Sequence, residues 1–109
     1  MKTDVILVFS TVPEEEMARA IAESLVEEGL AACVSILPGL ESHYQWQGTK
    51  EISKEYLLMI KAPAEAYPRL EARILALHPF ECPEIISIPV GQGYAGYLDW
   101  IRDSARPQD

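Results

Sequence analysis

Leu30-Ala31-Ala32-Cys33-Val34-Ser35-Ile36-Leu37 and Tyr56-Leu57-Leu58-Met59-Ile60-Lys61 are two runs suited to β-strands, and their alternation carries the argument for the fold. In the first, Ala32, Val34 and Ile36 point one way while Ala31, Cys33, Ser35 and Leu37 point the other. In the second, Tyr56, Leu58 and Ile60 alternate with Leu57, Met59 and Lys61. An antiparallel sheet with one wet face shows apolar residues alternating with polar ones; these strands are apolar on both sides. Between them, Pro38-Gly39 forces a bend or bulge, strand character resumes over residues 42–47, and Gly48-Thr49-Lys50 offers a turn. With the third strand running over 51–61, this is a long hairpin whose arms exceed the usual length of about 5–6 residues.

Upstream, Val5-Ile6-Leu7-Val8-Phe9 lacks polar alternation, as expected of a central strand buried on both faces. Thr11-Val12-Pro13-Glu14 combines a capping hydroxyl, an early proline and a following Glu, which predicts a helix start. That helix runs to about residue 28 with Met17, Ala18, Ile21, Ala22, Leu25 and Val26 as its stripe, and Gly29 ends it. Downstream, Pro63 ends the hairpin, and a second helix with Tyr67, Leu70, Ile74 and Leu77 on one face stops before Pro79. Residues 78–84, with two prolines, form an ordered connector to a fourth strand over 85–90. Residues 94–103 predict a third helix carrying Tyr97, Leu98, Trp100 and Ile101, and residues 105–109 a frayed tail. The order βαββαβ plus a C-terminal helix is α+β, the split β-α-β of ferredoxin-like folds, with two helices on one face of an antiparallel sheet. A length of 109 residues suits one domain over 1–109.

Two helices shield only one face, so a single chain of this kind would expose an apolar patch larger than soluble monomers tolerate. Either the third helix folds back over that face, or another copy of the chain covers it, with the hairpin arms extending the neighbour's sheet.

Seventeen acidic residues against nine basic ones give a net charge of -8, which disfavours nucleic acid and anionic lipid as partners. The longest apolar run, Val5 to Phe9, is far below the roughly 18 residues of a membrane span. Met1-Lys2-Thr3-Asp4 does not open a secretory signal, and two cysteines are too few for a disulfide framework; the expectation is a reduced, cytoplasmic protein. With no Asn in the chain, no Ser-His-Asp or Cys-His set and no phosphate loop, enzyme activity is not expected.

Leu30-Ala31-Ala32-Cys33-Val34, Pro38-Gly39, Tyr44-x-Trp46-x-Gly48, Glu55 and Lys61 occur in this order. His78-Pro79-Phe80-Glu81-Cys82-Pro83-Glu84-Ile85 and Tyr97-Leu98-x-Trp100 follow. In this series, from the first strand to the last helix, the chain resembles the CutA divalent-cation-tolerance family. The resemblance implies a ferredoxin-like protomer in a PII-like homotrimer associated with copper and other divalent metals. Some members have metal ligands proposed at a Cys before the first helix and at a His-His pair before the proline; here those positions hold Ser10 and Leu77-His78. A weaker or different site for copper or another divalent metal would then draw on His78, Cys82, Glu84 and Cys33. A second reading makes metal incidental and places a small effector in clefts between subunits of a signalling or scaffold trimer.

Residue by residue, alternatives stand beside these roles. His78, Glu81, Cys82 and Glu84 offer donors suited to Cu or Zn, but His78 also fits a helix C-terminal cap. Cys33 reads as a small buried hydrophobe or a soft ligand, and His43 as a surface residue. Tyr44 and Trp46, far out on the hairpin, suit an interprotomer contact or a local cluster. Lys61 and Glu84 suit a cleft that binds an anion or metal chelate, or a simple ion pair. Tyr97 and Trp100, at helical spacing, suit core or interface packing.

Overall fold

The computed structural model describes residues 4–105. Strand β1 (Val5–Val12) leads into helix α1 (Glu15–Glu27). Strands β2 (Cys33–Trp46) and β3 (Thr49–Pro63) form the hairpin, and a 3-10 turn (Ala64–Ala66) opens helix α2 (Tyr67–Leu77). Strand β4 (Ile86–Pro89) and helix α3 (Ala95–Ser104) complete the described chain. The sheet order is β2-β3-β1-β4 with every neighbour antiparallel, the arrangement expected from the sequence.

One face of the sheet is closed by α1 and α2. Val8, Val12, Leu58, Ile60 and Ala62 from the strands meet Ala18, Ile21, Leu25, Leu70 and Ile74 from the helices in one buried cluster. Helix α1 ends where Gly29 adopts φ 72°, a left-handed conformation open to glycine at little cost. Val26, assigned to the buried stripe from its spacing, is 46% exposed, because only Ala18, Ile21 and Leu25 of α1 are fully buried.

Three local expectations change. Thr11 does not cap α1: β1 pairs with β3 as far as Val12 opposite Tyr56, and the ladder's hydrogen bonds outweigh the local capping preference. Glu14 is the cap residue, without a side-chain cap hydrogen bond. The hairpin turn is Gln47-Gly48, with φ 50° and 81°, the doubly left-handed turn that matches strand twist; Trp46 and Thr49 face each other across it. At the other end, Ala105 is 3% exposed and its N–H bonds to the carbonyl of Ile101, so α3 ends packed; the rest of the expected tail lies outside the described residues.

The second face is only partly covered. Leu98 and Ile101 of α3 pack on Val5 with Ala32 and Val90, closing one end. The register sets the remaining rows: Cys33, Lys61, Leu7 and Ile88 in one, Ser35, Met59, Phe9 and Ile86 in the next, then Leu37, Leu57 and Thr11. Leu37, Ile86 and Ile88 are exposed at 41%, 52% and 45%.

Candidate functional site

The outer hairpin owes its facing to one extra residue. Leu37 pairs with Leu57 but Leu40 pairs with Glu55, so Pro38 and Gly39, the latter at φ 80°, form a bulge opposite Tyr56. Because the side-chain period is two, a one-residue insertion exchanges the faces. Before the bulge, odd-numbered residues of β2 occupy the uncovered face; beyond it Ser42, Tyr44 and Trp46 do, on the same side as Glu55.

Opposite this hairpin runs the connector between α2 and β4. His78 anchors it: buried to 8% exposure, its Nε2 lies 2.7 Å from the carbonyl oxygen of Thr11, and the Phe80 N–H donates to Nδ1 at 3.2 Å. A carbonyl only accepts and an amide N–H only donates, so Nε2 carries the hydrogen and Nδ1 is the acceptor. The Phe80 ring packs against the imidazole, centroids 4.9 Å apart.

Between hairpin and connector lies a cavity of about 690 Å³, lined by Tyr44, Trp46 and Glu55 on one side and Phe80, Glu81, Cys82 and Glu84 on the other. Thr11 lies between, and His43, the one basic residue in the lining among the described residues, is engaged at Nε2 by the Glu41 carboxylate at 2.7 Å. The Tyr44 hydroxyl is fixed by Ser53 Oγ at 2.8 Å. Glu55 is only 7% exposed, and no hydrogen bond or ion pair to it occurs among the described residues.

The residues proposed as metal donors are not brought together. Both ring nitrogens of His78 are engaged within the protein, and the imidazole bridges to β1 instead of capping its own helix. Cys33 sits opposite Lys61, four positions along β3 from the Leu57 that faces Thr11. Among the described residues no group of three or more His, Cys, Asp or Glu could hold a metal ion, so the donor set does not fit a closed site within one chain. Of the positions singled out by the resemblance, Ser10 is fully buried on the helix side and Leu77 packs against the core. Lys61 donates to Ser35 Oγ at 2.7 Å and lies 3.9 Å from Cys33 Sγ; it makes no ion pair with Glu84, which lines the cavity. Tyr97 and Trp100 stack on each other with centroids 5.7 Å apart but are 43% and 46% exposed, so Leu98 and Ile101, not these two, do the packing of α3.

Sequence reasoning placed Tyr44 and Trp46 together but gave Glu55 no role. A charged residue two positions before Leu57, in step with Leu57 and Met59, was the available signal.

Residues 6–104 match the family described as CutA1 divalent ion tolerance protein. The chain is similar to the divalent-cation tolerance protein CutA of Thermus thermophilus, 51% identical over 98 residues that cover 90% of this chain and 95% of that one. It is also similar to Protein CutA of Homo sapiens, 43% identical over 94 residues, 86% of this chain but 52% of the human protein. Among solved structures, CutA from Xylella fastidiosa superposes with a TM-score of 0.93 at 43% identity, covering 95% of this chain and all of that one.

Proposed function

The chain belongs to the CutA1 divalent ion tolerance family, and from that premise we propose that it acts in divalent-metal tolerance as a non-catalytic cytoplasmic homotrimer that binds copper or a similar ion weakly. The observation that carries the assembly is the uncovered sheet face: α3 protects only the Val5 end and leaves Phe9, Met59, Leu57, Leu37, Ile86 and Ile88 without a covering layer among the described residues. The two free edges, β2 and β4, are unlike each other. Joining one to the other is a head-to-tail contact, which closes into a ring when the rotation permits.

For metal, the exposed thiol of Cys82 and the carboxylates of Glu81 and Glu84 beside it on the cavity wall are the accessible donors. A soft thiolate favours copper, and the few donors offered by one chain favour weak binding. Two free cysteines suit a reducing compartment.

Calorimetric titration with Cu(I) and Cu(II) tests the metal reading. Weak saturable binding, reduced in Cys82→Ser and retained in His78→Ala, is the expected result. Heat no greater than dilution removes metal binding from the proposal.

A further inference from the structure

The cavity beside the outer hairpin has a composition that a metal ion does not explain. Glu55 is only 7% exposed as a residue, its carboxylate lines the cavity, and it has no hydrogen bond or ion pair among the described residues. A carboxylate on a cavity wall with no hydrogen bond or counter-charge of its own is available to pair with a ligand. Glu81 and Glu84 add negative charge to the opposite wall, and among the described residues no Lys or Arg lines the cavity. An anion is therefore excluded by charge, and the chain's net charge of -8 adds attraction for cations.

A bare divalent ion needs several converging ligands, and no such group forms among the described residues. Of the remaining lining residues, Tyr44, Trp46 and Phe80 are aromatic. Aromatic faces attract diffuse, weakly hydrated cations through the ring quadrupole, and organic ammonium groups match that preference. A volume of about 690 Å³ is in the range of small-ligand sites. We propose that this cavity binds a small organic ammonium cation, with Glu55 as counter-anion, Trp46, Tyr44 and Phe80 as aromatic walls, and Glu81 and Glu84 steering the cation to the entrance. This site shares Glu81 and Glu84 with the metal reading, but its counter-anion and aromatic walls do not depend on a metal.

The test is titration of the assembled protein with butylammonium and tetramethylammonium at constant ionic strength in excess EDTA, followed by calorimetry and by the indole N–H signals of Trp46 and Trp100. Saturable binding that shifts the Trp46 signal and leaves Trp100 unmoved is expected, with affinity falling roughly tenfold or more in Glu55→Gln and in Trp46→Ala. Trp46 is 43% exposed, so its truncation keeps the test valid if the Glu55 variant folds poorly. The uncharged 1-butanol should not bind saturably. No saturable binding of either cation, equal binding of 1-butanol, or affinity unchanged in both variants would overturn the proposal.

Discussion

Ser10 is fully buried on the helix side of β1, opposite Leu58, and its hydroxyl has no hydrogen-bond partner among the described residues. A buried unsatisfied hydroxyl costs about 1–3 kcal/mol, so Ser10→Ala is expected to leave stability unchanged or raise it by about 1 kcal/mol, measured by urea unfolding. His78 is the opposite case. Its two hydrogen bonds tie the connector to β1, and His78→Ala leaves the Thr11 carbonyl and the Phe80 N–H unpaired, for an expected loss of roughly 2–3 kcal/mol in the same assay. A loss of that size, with metal affinity retained, separates a structural histidine from a ligand. The sequence marked His78 as important but could not tell these roles apart, because the partner carbonyl lies 67 residues away along the chain.

Among the elements, α3 docks on the second sheet face at the Val5 end. Leu98 and Ile101 supply its apolar side, and Arg102 donates to Asp4 at 2.6 Å and to Asp99 at 2.7 Å. The Arg102 guanidinium holds the Asp4 carboxyl below its ordinary value of 3.8. A carboxyl depressed in the folded state adds stability above its unfolded pKa, and that stability is lost as pH falls through the folded one. Amide exchange in α3 is therefore expected to be faster in Asp4→Asn than in the native chain near neutral pH, by a small margin since the pair is exposed, with the two converging well below pH 3.8. A constant difference across that range would rule the pair out as the anchor. Element identity and order were legible from alternation, helical spacing and the Pro and Gly positions. The facing of Tyr44 and Trp46 was not, because it depends on how many residues the Pro38-Gly39 bulge inserts, and only the pairing of Leu37 with Leu57 and of Leu40 with Glu55 settles that count. The start of α1 was misread for a related reason: a capping pattern is local, whereas the ladder that keeps Thr11 and Val12 in β1 is made with residues over forty positions away.

For the molecule as a whole, the rows headed by Met59 and Leu57 decide what the chain is. Reading both strand faces as apolar anticipated that surface, and the register confirms that these side chains share it with Phe9, Ile86 and Leu37. Full burial of one such side chain contributes roughly 1.5–3 kcal/mol, so burial of several rows between copies, as proposed, would make assembly and folding a single process. Met59→Asp places an unpaired charge in the middle of that surface and is expected to abolish assembly, leaving unfolded or monomeric chains on gel filtration. The most direct test is sedimentation equilibrium of the native protein at micromolar concentration. A species of three times the 12.2 kDa chain mass is predicted, and a stable, folded particle of single-chain mass would contradict the account.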